Sequence, residues 1–163
     1  MSDVKEVLFA MLVVSGVLAL AGVLASGADP PAGLSWQSGD RPREAPAAGC
    51  PRTAGCPARL LSWTIPPGRT ISARFTAGVA GPVRATGRIA LLGPSCPAVV
   101  DWTVSTGGHT LVARTLRSGP RSDQPVEAGP IPGNRPLTLT AHRTDGGSCP
   151  AILQWSAPRA VPG

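Results

Sequence analysis

The sequence is poor in the residues that perform most enzymatic chemistry. It contains no tyrosine, two histidines (His109 and His142) and no close pair of carboxylates. The zinc motif H-E-x-x-H and the nucleophile motif G-x-S-x-G are both absent from it. We interpret both histidines as surface residues on solvated strands. We therefore predict that the chain is not an enzyme and that it uses neither a cofactor nor a metal.

Lysine is almost absent, since Lys5 is the only one in the sequence. Beyond residue 28 there are 14 arginines and seven acidic residues, which gives this part a net charge of +7. Such a charge attracts anionic polymers and surfaces. A GC-rich coding sequence produces the same arginine-rich composition, however. The charge alone therefore does not identify the partner, and we predict no specific nucleic-acid partner.

One long apolar run lies near the N-terminus. From Val7 to Ala25 there is no charged residue, and Ser15 is the only polar side chain. The run is long enough to cross ~30 Å of hydrocarbon. We predict a membrane anchor over residues 7–27 behind a short tail, residues 1–6. The small residues of "ASGAD" leave a cleaved signal peptide as the alternative.

The rest of the chain divides by composition into a linker and a domain. Residues 28–49 are rich in proline, glycine and alanine and lack apolar periodicity, which predicts a flexible stalk. Residues 50–163 are numerous enough for one domain with its own core. We expect a single-pass protein of the cell membrane with an extracytoplasmic domain, or a secreted domain if the signal is cleaved.

Apolar and polar residues alternate with period two beyond residue 56. The segments "ARLLSWTI", "AVVDWTVS" and "AILQWSA" place Trp63, Trp102 and Trp155 on their apolar faces, and "TISARFT" does the same for Phe75. This alternation is typical of strands with one face on a core and the other toward water. We predict seven or eight such strands in an antiparallel β-sandwich with these four aromatics in the core.

The four cysteines all lie beyond the apolar run, and each is followed by proline. An even number of cysteines in an exported domain indicates disulfides, and three pairings are possible. The short segment "CPRTAGC" suggests Cys50–Cys56, which leaves Cys96–Cys149 as the second bridge. A zinc site is the alternative, although no C-x-x-C spacing is present.

Arginines on outward strand faces or toward strand ends are the candidate ligand-binding residues. Guanidinium groups bind carboxylates and phosphates with two parallel hydrogen bonds, which suits an acidic polymer of the cell envelope. A solvated basic sheet face is the alternative. The candidates are Arg74, Arg84 and Arg88 on outward faces and Arg114, Arg117 and Arg143 toward strand ends, together with Asp145 in the turn "TDGGSC".

Three segments resemble the NPCBM family of carbohydrate-binding modules. They are "PPGRTISARFTAGV", "VDWTVSTGGHTLVARTLRSG" and "PLTLTAHRTDGGSCPAILQWSAPR", and the resemblance covers about residues 62–158. Gly107-Gly108, Asp145 and Trp155 match the family's pattern by position. The resemblance implies a jelly roll of the galactose-binding type, attached to a membrane or to enzymes, that contacts glycans.

The sequence thus predicts a membrane-anchored extracytoplasmic module that binds cell-envelope carbohydrate or another anionic glycan. A second possibility belongs to a different class. The chain is then an accessory or structural subunit whose sandwich docks on a membrane or surface protein.

Overall fold

The computed structural model of the protein describes residues 32–46, 59–93, 97–120 and 122–163. Residues Pro31–Gly163 form one compact unit, distinct from Met1–Pro30. The predicted anchor over residues 7–27 lies outside the described residues. Within the described part of the chain, no helix has the length and apolar character needed to span a membrane.

The described residues form eleven strands. These are β1 (Ala32–Gly33), β2 (Ser35–Gly39), β3 (Arg43–Pro46), β4 (Arg59–Ile65), β5 (Thr70–Thr76), β6 (Pro82–Leu92), β7 (Val99–Thr106), β8 (His109–Arg117), β9 (Asp123–Pro132), β10 (Leu137–Arg143) and β11 (Ala151–Pro162).

The strands form two antiparallel sheets. The first sheet has the order β3-β4-β11-β6-β9. β1 pairs with the last part of β11, beyond the residues of β11 that pair with β4. The second sheet has the order β2-β5-β10-β7-β8. The all-β, two-sheet architecture agrees with the sequence prediction.

Four described strands were not expected from the sequence, because they lie in proline-rich segments. Residues 32–46, predicted as part of a flexible stalk, form β1, β2 and β3 of the sandwich. The segment "DQPVEAGPIP" forms β9. Both β3 and β9 are outermost in the first sheet, where a proline without an N–H group leaves fewer ladder bonds unmade. The remainder of the predicted stalk lies outside the described residues.

A corner at Asp40 carries the chain from one sheet to the other. β2 pairs with β5 of the second sheet, and β3 pairs with β4 of the first. The Asp40 carboxylate accepts the N–H of Ser72 at 2.7 Å, and its carbonyl accepts the indole N–H of Trp63 at 2.9 Å. Residues 32–46 therefore connect the two sheets along one side of the sandwich.

The core lies between the sheets and is centred on aromatic rings. Trp63, Phe75 and Trp155 are buried, and Phe75 meets the two indoles edge to face at centroid distances of 6.3 and 5.6 Å. Trp102 is also fully buried. Burying an aromatic side chain of this size is a large part of what stabilises a small sandwich.

The registers define two ends of the sandwich. The proline end carries the connections at residues 77–81 and 133–136 and the turn Gly107–Gly108, with Gly163 bonded to Pro82. The clip end carries the connections at residues 66–69, 118–122 and 144–150. Because Ala32 pairs with Ala160 near the end of β11, the chain enters the sandwich from the proline end.

Candidate functional site

The outer face of the second sheet carries a continuous row of hydroxyl groups across its middle. Ser72 on β5 is paired with Thr140 on β10, and Thr140 is paired with Thr103 on β7. Their neighbours along each strand, such as Ala73 and Leu139, are buried in the core. The same alternation that fills the core therefore turns these side chains to the outer side of the sheet, where Ser72 is exposed and Thr140 and Thr103 are half-buried.

A second row lies beside the first, toward the proline end. Here Arg74 is paired with Thr138, and Thr138 with Ser105. Within the described residues, the structure gives no hydrogen-bond partner to the hydroxyls of Thr138 or Ser105. The row combines the exposed Arg74 with the hydroxyls of two half-buried residues.

A third row, toward the clip end, is partly closed by its own hydrogen bonds. The hydroxyl of Thr70 lies 2.8 Å from Nδ1 of His142. On the next strand the Thr115 hydroxyl donates to Asp101 at 2.5 Å. His142 and Asp101 are themselves register partners. Both His142 and Asp101 are exposed.

We call the three rows together the hydroxyl face. Neighbouring strands lie ~4.8 Å apart, and residues two apart along a strand are separated by ~6.7 Å. Each hydroxyl both donates and accepts hydrogen bonds. The face therefore offers a grid of donors and acceptors, with one cation at Arg74 and one carboxylate at Asp101.

The candidate arginines do not form one surface, because the strands that carry them belong to different sheets. Arg74 on β5 belongs to the hydroxyl face, whereas Arg84 and Arg88 on β6 lie on the outer face of the first sheet. Arg88 is already engaged in an ion pair with Asp123, in which both side chains are about half exposed. Sequence alternation alone had grouped these three arginines together.

Two further candidates lie on β8, the last strand of the second sheet. Arg114 is paired with Trp102 and is exposed at the side of the sandwich. Arg117 is paired with Val99 at the clip end, where β8 finishes. Neither arginine is adjacent to the central hydroxyl row.

Arg143 and Asp145 form an internal clip at the clip end. The guanidinium is fully buried, and its Nε and Nη2 each donate to Asp145 at 2.8 Å. Its Nη1 donates to the carbonyl of Cys149. The N–H groups of Val99 and Gly147 also donate to the carboxylate, at 2.8 and 2.9 Å. The sequence suggested Arg143 as a ligand-binding residue toward a strand end, but its charged group is buried and faces Asp145 and the loop.

The clip changes the protonation behaviour of both partners. The hydrogen bond from Arg143, supported by those from backbone N–H groups, holds the pKa of Asp145 far below the usual range of a carboxyl group. The hydrogen bond to Asp145 raises the pKa of Arg143. Both groups are therefore charged at all ordinary pH values, and the pair stabilises the loop that follows β10.

The end of this loop is also fixed covalently, because Cys149 is disulfide-bonded. The other three cysteines lie outside the described residues, so the pairing remains a prediction. Within the described residues, no group of three or more histidine, cysteine, aspartate or glutamate side chains is placed to hold a metal ion.

Each end of the sandwich also has a concavity. One of about 490 Å³ lies at the clip end between Pro97–Val99, Arg117 and Asp145. The other, of about 650 Å³, lies at the proline end and is lined by residues Val79–Pro82 and Pro130–Asn134. The carboxylate oxygens of Asp145 are already bonded within the loop, so the clip-end concavity offers few free polar groups.

Comparisons with known proteins find similar structures but no related sequence. The chain matches no family model and no curated protein. A family 61 carbohydrate-binding module in complex with β-1,4-galactotriose aligns over 78% of this chain and 88% of the module, with a TM-score of 0.42 and 14% identity.

Two larger enzymes also align with most of the chain. An arabinose-bound family 51 α-L-arabinofuranosidase aligns over 82% of this chain and 24% of the enzyme, with a TM-score of 0.43 and 10% identity. A family 115 4-O-methyl-α-glucuronidase with specificity for decorated arabinogalactans aligns over 83% and 18%, with a TM-score of 0.41 and 14% identity. Likeness at this level is too coarse to establish a function.

Sequence reasoning identified Arg74 but missed the hydroxyls around it. A signal for them was present, since polar residues alternate with core residues along "TISARFT", "PLTLTAH" and "DWTVST". What the sequence could not show is that β5, β10 and β7 are neighbours in one sheet.

Proposed function

We propose that the chain is a non-enzymatic binding module that holds a cell-envelope glycan across the hydroxyl face. The observation that carries the proposal is the pair of adjacent rows built from Ser72, Thr140 and Thr103 and from Thr138 and Ser105. A solvent-facing sheet needs polar side chains, but it does not need this many hydroxyls without internal partners on neighbouring strands.

The chemistry of the face suits a polyhydroxylated ligand. Sugar hydroxyls donate and accept hydrogen bonds, and the threonine and serine hydroxyls do the same. Arg74 and Asp101 add charged partners at opposite sides of the grid, and charge-assisted hydrogen bonds are the stronger kind. Arg74 is the only arginine within the three rows, so the expected ligand is a neutral or weakly acidic glycan.

The spread of the hydroxyls over several strands indicates the form of the ligand. Strands β2, β5, β10, β7 and β8 present an open surface, not a closed pocket. An open surface binds an extended chain along its length more readily than it encloses a single sugar. A polysaccharide of the cell envelope fits this geometry, provided that the domain is displayed outside the cytoplasm by the predicted anchor.

The sheet order supports the jelly-roll part of the proposal. Strands β4 to β11 form the orders β4-β11-β6-β9 and β5-β10-β7-β8, with eight strands divided equally between two sheets. Eight strands in a double sheet are the number that a jelly roll uses.

The proposal is tested by removing two hydroxyls without changing side-chain shape. Thr103→Val and Thr140→Val together keep β-branched side chains on the sheet. Each net hydrogen bond contributes about 1 kcal/mol, so affinity for the bound glycan falls by roughly 30-fold. The measurement is isothermal titration of the full chain in detergent against a panel of cell-envelope polysaccharides at physiological salt.

A matched variant controls for effects on folding. Thr64→Val with Thr86→Val removes two hydroxyls from the outer face of the first sheet, and we expect unchanged affinity. The proposal is wrong if both double variants weaken binding equally. It is also wrong if no glycan of the panel binds, or if every acidic polymer binds and added salt abolishes the binding.

Docking on a protein partner is the second candidate, and one observation favours it. Leu92 and Ile152 are register partners on the outer face of the first sheet and are 43% and 40% exposed. Two apolar residues make a small patch compared with a specific protein interface. Co-purification that is lost in Leu92→Ser with Ile152→Ser, but not in Thr103→Val with Thr140→Val, would favour this candidate.

A further inference from the structure

The proline end carries an apolar groove that glycan binding does not use. Its lining residues, Val79–Pro82 and Pro130–Asn134, include no charged side chain. Pro130 and Pro132 are exposed although they are apolar, and Val79 is half-buried. Covering such an end with an apolar or interfacial phase removes apolar surface from water and is therefore favourable.

Backbone contacts fix the shape of this groove. Gly133 lies so close to the carbonyl oxygens of Val79 and Gly81 that a Cβ atom at this position would overlap them. Gly81 has a φ of +90°, a conformation that favours glycine. The two walls are therefore packed against each other through the main chain, and the groove is preformed.

The chain also reaches the sandwich from this end. Ala32 is paired with Ala160, and its strand runs away from Pro162 and Gly163. Seven residue steps separate Ala25, where the uncharged run finishes, from Ala32. Seven extended residues span at most ~25 Å. With the run held in a bilayer, as the sequence predicts, the first strand begins within that distance of it.

Charge at the proline end complements an anionic surface. Arg84 and Arg135 are exposed beside the groove, and within the described residues neither has an ion-pair partner. Asp101, Asp123 and Asp145 all lie toward the clip end. Glu127, paired with Thr86, is the acidic residue of β9 nearer to the groove.

We propose that the proline end is a lipid-contacting surface that rests on the headgroups of an anionic bilayer. The uncharged groove faces the interfacial region, where exposed prolines and Val79 lose water at little cost. Arg84 and Arg135 pair with lipid phosphates, since basic residues near an anionic surface are attracted to it. The hydroxyl face then stands at the side of the domain, away from the lipid.

The test is performed on the full chain in nanodiscs made from equal parts of phosphatidylglycerol and phosphatidylcholine. A trace of lipid with a paramagnetic headgroup broadens the NMR signals of nearby backbone amides. We expect strong broadening at Gly81, Gly133 and Arg135 and little at Gly146 and Gly147. Equal broadening at both ends, or stronger broadening at the clip end, overturns the proposal.

A tether alone could also bring the proline end closer to the lipid, so charge variants are needed. In Arg84→Gln with Arg135→Gln, we expect the contrast between the two ends to fall to the level seen in pure phosphatidylcholine discs. The matched control, Arg69→Gln with Arg117→Gln, removes the same charge from the clip end and keeps the contrast. A contrast that depends neither on lipid charge nor on Arg84 and Arg135 is the effect of a tether and overturns the proposal.

Discussion

The two ends of the sandwich are held together by different physical means. At the clip end, a buried ion pair between Arg143 and Asp145 and a disulfide at Cys149 fix a long loop. At the proline end, Gly133 packs directly against main-chain carbonyls with no side chain between them. The first arrangement depends on charge and the second on the absence of a Cβ atom, so the two respond to different perturbations.

The largest expected effect comes from breaking the clip on one side. Arg143→Met leaves the Asp145 carboxylate without its main partner in a site where it is only 15% exposed. An uncompensated charge in such a site costs about 3 kcal/mol in the free energy of unfolding. Urea denaturation of the full chain measures this loss.

The exposed pair supplies the control for that measurement. Arg88→Met breaks the ion pair with Asp123, whose side chains are 56% and 50% exposed. A solvent-screened pair contributes about 0–1 kcal/mol. Equal losses in the two variants would show that burial of the Arg143 clip adds nothing.

A smaller effect is expected at the proline end from a single added methyl group. In Gly133→Ala the new Cβ overlaps backbone oxygens of Val79 and Gly81, which cannot move without shifting the turn. Overpacking of this kind costs about 1–3 kcal/mol. The matched change at the clip end is Gly146→Ala, where a Cβ meets no atom within 4 Å. We expect the free energy of unfolding of that variant to lie within ~0.5 kcal/mol of the wild-type value. A loss of stability as large as that of Gly133→Ala would contradict the packing argument.

The smallest expected effect over the accessible range is acid sensitivity of the clip end. The pKa of Asp145 is lower in the folded chain than in the unfolded chain, chiefly because of the hydrogen bond from Arg143. The carboxylate therefore contributes its full stabilisation above about pH 4 and loses it as the pH falls toward the folded-state pKa. Between about pH 6 and about pH 2, the melting temperature should fall more steeply with decreasing pH for the wild type than for Asp145→Asn. Parallel declines would mean that Asp145 is not the group responsible.

Much of the fold was predictable, because alternation reports which side of a strand is buried. Trp63, Phe75, Trp102 and Trp155 alternate with polar residues in the sequence, and all four are buried in the structure. The strands β1 to β3 were not predictable in this way. Most of their residues are exposed, so apolar periodicity is lacking, and Leu34 between β1 and β2 is the main buried apolar side chain of the segment.

The candidate site was less predictable than the core. Alternation shows that Arg74 and Arg84 both face outward, but it contains no information about which sheet each strand joins. Pairing of β5 with β10 and of β10 with β7 depends on contacts distant in the sequence. The burial of Arg143 was hidden for a similar reason. Its position next to a turn suggested that the side chain is exposed to solvent. Asp145 and the carbonyl of Cys149 instead accept hydrogen bonds from the guanidinium, which offset the loss of its hydration.

The corner at Asp40 determines where the domain can be cut. In the intact sandwich β2 covers one side of β5, and β3 covers one side of β4. A fragment that begins at Cys50 leaves both seven-residue strands with a free row of N–H and C=O groups, and such rows recruit other chains into shared sheets. A fragment that begins at Ala32 retains both covering strands. Residues 32–46 thus act as the domain's protection against aggregation, although their composition is that of a linker.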